Sequence, residues 1–235
     1  MFQTLKQIRI RGAYAPAFAA LFTVGIITSC SQDSPVAPTE TSGESSPFAG
    51  SGSYAFMGAD GVTNFFNNPT NANYIDKRVY DMIASSSTYC YVAVYNINRQ
   101  SIIDRLKSRK QAGVDVRVVT ESDYFNNPDY TNAYHQLQSV GIPVIPDVGT
   151  ALMHNKFIVI DDIEVLGGSY NFTTDQTTKD KNNVIIVHSA AVASRYKSEF
   201  LQMYAGVFIG SKGDYSGTDT VAGSTIETYF APKAN

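Results

Sequence analysis

Between Asn73 and Ala84 apolar residues recur at helical spacing, with Ile75, Val79, Met82 and Ile83 on one face, and the run Ser85-Ser86-Ser87 ends the pattern. Tyr89 to Ile97 is rich in β-branched and aromatic residues and predicts a strand. A second helix is predicted over Ser101 to Ala112 from Ile102, Ile103 and Leu106, closed by Gly113. Val114 to Thr120 alternates valine with polar residues and predicts the next strand. A third helix at Tyr130 to Val140 presents Ala133, Tyr134, Leu137 and Val140 and stops at Gly141, before a short strand at Ile142 to Ile145. Strands and helices alternating in short units predict βαβ crossovers and a sheet covered by helices.

The second half changes character. Leu152 to Ile160 and Glu164 to Gly167 flank Asp161-Asp162 and predict a hairpin, followed by a strand at Asn183 to His188. Ala190 to Tyr204 predicts a last helix with Val192, Tyr196, Phe200 and Met203 on one face. From Gly210 the chain is rich in Gly, Ser and Thr and reads as a loose tail, in which Thr225 to Phe230 is fit for an edge strand. The expected class is α/β: a mixed β-sheet flanked by helices on both faces, with no internal repeat.

The ends carry different information. Met1 to Arg11 holds Lys6, Arg9 and Arg11 without an acid, and Gly12 to Ser29 is mostly apolar. That order reads as a secretory signal over residues 1–29. The closing Ile27-Thr28-Ser29-Cys30 resembles a bacterial lipoprotein lipobox, which implies lipidation at Cys30 and attachment to a membrane, on the guess of an outer-membrane site facing the periplasm. A transmembrane anchor is the competing reading, and Pro16 and Gly25 interrupt it. Residues 30–52 are rich in Ser, Pro, Thr and Glu and bury too little surface to fold, so they read as a tether. A catalytic domain is then expected over residues 53–210 and the tail over 211–235. Cys90 is left as a lone thiol in an apolar strand, where burial is the expectation.

The full chain has 18 Lys+Arg and 21 Asp+Glu; without the basic residues of the leader and the acids Asp33, Glu40 and Glu44 of the tether, 15 and 18 remain. Such a domain does not carry the basic stripe of a strong duplex binder. Arg105, Lys107, Arg109 and Lys110 read as the solvated face of a helix, while Lys179 and Lys181 are better placed to hold a polyanion.

The chemistry is concentrated in His154-Asn155-Lys156 through Asp161 and in Gly168-Ser169-Tyr170-Asn171. On a strand, His154 and Lys156 leave the same face, which sets a titratable imidazole beside an ammonium. That pair suits a phosphodiester, because imidazole can attack phosphorus or move protons and the ammonium can hold a non-bridging oxygen. Ser169 and Asn171 add hydrogen-bond donors on a glycine-bearing turn, a phosphate-binding arrangement together with Lys156.

The spacing of His154, Lys156, Asp161, Gly168, Ser169 and Asn171 resembles the signature of the phospholipase D superfamily, and the length and single motif resemble its bacterial Nuc-type endonucleases. The resemblance implies a phospholipase D-like α-β-α sandwich holding one half of a dimeric active site. His154, Lys156 and Asp161 would be the catalytic set, although Asp161 also suits a hairpin or dimer seam. In such proteins one motif histidine is the nucleophile and another the general acid. His135 and His188 lack the motif's companions, so a homodimer is the implied source of the second histidine. Two Lys156 and two Asn171 would then supply the positive field, and no metal or other cofactor is implied. An acidic residue about a dozen positions past the turn usually orients the histidine; here that place is taken by Asn182, with Asp175 and Asp180 nearby. The implied activity is hydrolysis of DNA or RNA through a phosphohistidine. A lipid phosphodiesterase favoured by the tether, and a nucleic-acid-binding module weakened by Asn182, are the alternatives.

Overall fold

A computed structural model describes residues 9–11, 61–67, 73–148, 151–210 and 212–231. In chain order the elements are β1 (Arg9–Arg11), β2 (Gly61–Phe66), α1 (Asn73–Ser85), β3 (Tyr89–Val94), α2 (Gln100–Gln111), β4 (Asp115–Thr120), α3 (Ser122–Phe125) and α4 (Pro128–Ser139). They continue with β5 (Val144–Pro146), β6 (Lys156–Ile160), β7 (Glu164–Gly168), α5 (Thr174–Thr178), β8 (Asn183–His188), α6 (Ala190–Tyr204), β9 (Gly217–Val221) and β10 (Ser224–Thr228).

Seven strands form one sheet in the order β2-β8-β7-β6-β3-β4-β5. β3, β4 and β5 run parallel, joined by α2 and by α3 with α4, whereas β6, β7, β8 and β2 are antiparallel to their neighbours. The mixed sheet follows from the chain's two halves, one with crossovers long enough for helices and one with a hairpin. β3 sits near the middle and every residue of it is buried, which is why its sequence lacks alternation.

Along β6 alternate residues serve different cores. Ile158 and Ile160 pack with Ile75 and Val79 of α1, Ile102 and Leu106 of α2, and Tyr134 of α4. Phe157 and Val159 pack with Val192, Phe200 and Met203 of α6. Helices therefore cover both faces, as the α/β class required. Gly113, at φ +91°, turns the chain out of α2 and into β4, a conformation strained for any residue with a side chain.

Four features depart from the sequence expectation. β2 is an edge strand paired to β8, and its half-exposed Gly-Val-Thr-Asn-Phe-Phe pattern was too mixed to announce it. The tail, expected to be loose apart from a strand at Thr225 to Phe230 that β10 bears out, forms the β9–β10 hairpin, docked on α6 through Arg195 to Asp219 and through a buried ion pair of Lys212 with Glu199. Among the basic residues of α2, Arg105 lies over the Tyr80 ring and Arg109 donates to Ser86 O at 2.6 Å, so they bind α2 to the neighbouring chain rather than to water. Arg9–Arg11, assigned to the leader, pairs with β10 as the edge of a three-stranded sheet, while β9 and β10 keep their own five-pair register. The rest of the leader, Cys30 and the tether lie outside the described residues. Cys90 is buried, and burial holds its thiol far above the ordinary range.

Candidate active site

His154, Lys156, Ser169 and Asn171 of the motif lie at one end of the sheet. β3 and β4 end there, and β6, antiparallel to β3, begins there with Lys156 opposite Val94. The parity of β6 turns Lys156 toward the core of α1, α2 and α4, and this buries its stem; the residue is 9% exposed. Its Nζ donates to His154 O at 3.2 Å and lies 5.0 Å from the centre of the Tyr95 ring. The His154 ring meets the same tyrosine edge-on, with centroids 4.6 Å apart. Tyr95 thus gathers imidazole and ammonium around one half-buried ring.

Both groups are tuned by this setting. Burial pushes the Lys156 ammonium down to about 8. His154 is held below its ordinary value by burial first and then by the Lys156 charge, which favours the neutral, nucleophilic imidazole. Burial, with Tyr124 next in weight, pushes the Tyr95 phenol up to about 12, so it remains protonated.

The backbone that carries His154 is fixed from two sides. Asn155, on the opposite face, donates to Met203 Sδ of α6 at 3.1 Å. Glu121, 3% exposed at the end of β4, accepts from Met153 N at 2.5 Å. Burial raises the Glu121 pKa, with further increments from Asp147 and Asp123.

Ser169 bonds to β8 rather than standing free. Its hydroxyl donates to Asn182 Oδ1 at 2.9 Å and accepts from Asn183 N at 3.0 Å. Asn182 donates in turn to Gln176 O at 3.2 Å. Asn182, whose place in the sequence suggested a role in orienting the histidine, thus bonds Ser169 and the Gln176 carbonyl within the chain. Among the described residues neither His154 ring nitrogen has a hydrogen-bond partner. Of the two carboxylates nearby, Asp175 pairs with Lys179 at 2.9 Å and Asp180 bonds Gln176. A side chain at Gly168 would strike the backbone of Asn183 and Val184, so glycine is required where β8 passes closest. The Asn171 side-chain oxygen is buried and unpartnered among the described residues, as is that of Asn96. The parallel bridge Ile97 to Phe172 sets these two asparagines side by side in the chain register.

Asp161, grouped above with the catalytic residues, is at the far end of β6, about 20 Å from His154 by strand rise. Its carboxylate accepts from Ser87 N at 2.6 Å, Ser87 Oγ at 2.9 Å, and Thr88 N and Tyr89 N at 2.8 Å. Asp161 and Asp162 both have positive φ, 52° and 57°, and Ile163 N bonds Ile160 O at 3.0 Å to close the hairpin. Asp161 is a brace between this turn and the start of β3. Asp161→Ala is expected to lower stability by roughly 2–4 kcal/mol, since it removes charge-assisted bonds to three backbone N–H groups. Urea denaturation would read the loss, and kcat per folded molecule should change less than about threefold.

A family model described as "Cardiolipin synthase, PLD-like domain" matches residues 79–204, more than half of the chain. The chain belongs to the phospholipase D superfamily.

Within the superfamily, a mitochondrial cardiolipin hydrolase of Xenopus laevis is 30% identical over 113 residues, 48% of this chain and 53% of that protein. A phospholipase D of Rickettsia bellii is 30% identical over 129 residues, 55% of this chain and 63% of that protein. The chain thus matches between about half and two thirds of these relatives' length. The fold is similar to Nuc from Salmonella typhimurium, a phospholipase D family member, at TM-score 0.58 and 23% identity over 63% of this chain and 95% of that one. NucT from Helicobacter pylori gives 0.54 and 18% over 62% and 98%. The phospholipase D motif accounts for His154, Lys156 and the glycine turn. It did not disclose Tyr95, Asn96 or Glu121, which lie 33 to 59 residues upstream of His154 and reach the site only through strand order. A signal for them existed: each lies within two residues of the end of a parallel strand, where α/β sheets place their sites.

Proposed function

We propose that this chain is a metal-independent phosphodiesterase that works as a homodimer and hydrolyses DNA or RNA through a phosphohistidine. One observation carries the reading: His154 and Lys156 converge on Tyr95 at an open end of the sheet, and His154 is the single histidine there among the described residues. His135 is exposed on α4, and His188 faces Glu164 where β8 ends and β7 begins. A reaction that needs a nucleophile and an acid therefore draws its second imidazole from a second copy. Val148, 63% exposed, and Leu152, 51% exposed, flank the motif and supply apolar surface for that copy to cover.

In this mechanism a neutral His154 nitrogen attacks phosphorus, a P–N bond forms and the P–O bond to the leaving group breaks. The second copy's His154, protonated, gives its proton to the leaving oxygen. It then takes a proton from water, whose oxygen attacks phosphorus as the P–N bond breaks. Lys156 and Asn171 hold the non-bridging oxygens as negative charge develops. Plasmid and single-stranded DNA incubated with the chain in excess chelator test this reading. Cleavage should persist in chelator, and loss of all cleavage there would overturn it.

The pair of His154 rings must share one proton, so kcat/KM, which reports the free dimer, is expected to peak on the acid side of neutrality. It falls as the second proton leaves, and the fall steepens near pH 8 as Lys156 loses its charge. In Lys156→Arg, whose guanidinium stays charged, the break near 8 should vanish from the pH–rate plot.

A lipid phosphodiester is the second reading, favoured by relatives named cardiolipin hydrolase and phospholipase D. Release of phosphatidic acid from cardiolipin vesicles, without cleavage of nucleic acid, would establish it. Under either reading residues 1–29 export the chain, and lipidation at Cys30 holds it at a membrane outside the cytoplasm. Incorporation of radiolabelled palmitate into the wild type and not into Cys30→Ser checks that arrangement.

A further inference from the structure

Three tyrosines run in a line away from the motif. The Tyr95 ring meets His154 at 4.6 Å, Tyr124 of α3 meets Tyr95 edge-on at 4.7 Å, and Tyr130 of α4 meets Tyr124 edge-on at 4.8 Å. All three are half-buried, so each keeps part of its ring in solvent. The line is rigidly backed: Phe125, beside Tyr124, packs on Tyr134, whose hydroxyl lies 2.9 Å from Thr120 Oγ1 at the end of β4.

We infer that Tyr95, Tyr124 and Tyr130 form a subsite that takes the unpaired nucleobase next to the scissile phosphate, which makes the enzyme selective for single strands. The inference rests on the nuclease reading above and deepens it. Charge decides which part of a nucleotide fits here. Asp123 and Asp129, both exposed, border the tyrosines, and Asp175 also acts on Tyr130. A phosphate is repelled from such a rim, whereas a base carries no charge and has a π-face for an aromatic ring. The phosphate goes to His154 and Lys156, and its neighbouring base extends over the tyrosines. In a duplex that base is paired and stacked on its own strand, and it reaches the subsite only after unpairing.

The test uses the full chain with three end-labelled oligodeoxynucleotides of one sequence: a single strand, its blunt duplex, and a single strand with abasic nucleotides around one scissile bond. The wild type should cleave the single strand at least about 10-fold faster than the duplex. Tyr124→Ala should raise KM for the base-bearing strand roughly 5- to 100-fold, the size of one lost stacking contact. Its kcat should stay within about threefold, and cleavage at the abasic site should not change. Tyr124→Phe should behave as wild type. Tyr130→Ala repeats the comparison at the outer end of the line if Tyr124→Ala does not fold. An equal loss on base-bearing and abasic strands overturns the subsite. So does a Tyr124→Ala dimer that dissociates in sedimentation, which would make the tyrosines an interface, or a loss confined to cardiolipin vesicles, which would make them an acyl-chain contact. A wild type that leaves every oligonucleotide intact overturns the nuclease reading and the subsite together, whereas cleavage indifferent to Tyr124 overturns the subsite alone.

Discussion

His154→Ala should lower kcat for phosphodiester cleavage by about 10⁴- to 10⁶-fold, the range seen when a nucleophile that acts as part of a unit is removed. The loss is expected to be larger than for a lone general acid, because in a homodimer one substitution deletes both imidazoles. Mixing His154→Ala with a wild-type chain gives heterodimers that keep a single imidazole. These should be nearly as inactive as the double deletion, since neither attack nor protonation of the leaving oxygen proceeds alone. Titration of wild type with the variant, at fixed total protein, should therefore follow the square of the wild-type fraction. A linear decline would show that each chain works with its own residues.

Lys156→Met should have a comparably large effect of mixed sign. Lys156 is 9% exposed, and its pKa, about 8 instead of 10.5, means that holding the charge costs the folded state roughly 3 kcal/mol at neutral pH. The sign follows from proton binding. Between about pH 8 and 10.5 the unfolded chain keeps a proton that the folded one has released, so wild-type stability rises with pH across that window. Below it the penalty is fully present. Methionine fills the same buried position opposite Val94 and beside the Tyr95 ring without charge, so the variant should gain about 2–3 kcal/mol at pH 7, and the gain should vanish above pH 10. Hydrolysis should be lost by at least about 10³-fold, as for removal of an oxyanion-stabilising group. Chemical denaturation at pH 7 and pH 10 reads the first effect and single-turnover kinetics the second. A variant no more stable than wild type at pH 7 would mean that Tyr95 and the His154 carbonyl compensate the buried charge in full.

Stability and activity oppose each other at Lys156 because the site asks for a bare cation. A solvated lysine at the surface would cost nothing and would hold a phosphate oxygen weakly, since water screens the attraction. Burial in the first residue of β6 removes that screening. The flanking Glu121 and Asn155 bonds keep the His154 backbone from yielding to relieve the cost.

Much of this was legible along the chain. The helical periodicity of Ile75, Val79, Met82 and Ile83 and the unbroken apolar run of β3 report which side of each element meets the core, and that depends on local geometry. The pairing of His154 with Lys156 was legible for the same reason, as two positions on a strand share a face. β2 and β9 were not, because both sit at sheet edges where half the residues face water and the alternation is blurred, whereas β10, held between β1 and β9, answers to the strand expected at Thr225 to Phe230. The basic residues of α2 were misread as solvated because sequence does not reveal that Tyr80 and the Ser86 carbonyl lie across from them.

The sequence by itself determined the reacting groups and their class: an imidazole, an ammonium and a glycine turn at fixed spacing, whose mutual placement needs only the pleat of one strand and one hairpin. Tertiary structure decided everything that depends on which strands lie side by side. It set β3 and β4 beside β6, and so brought Tyr95 and Glu121 to a motif far along the chain. It also turned Asp161 into a brace for the start of β3 and set Asn182 against Ser169. A side chain's type travels with the chain, but its protonation and its partner are set by burial and by neighbours distant in sequence.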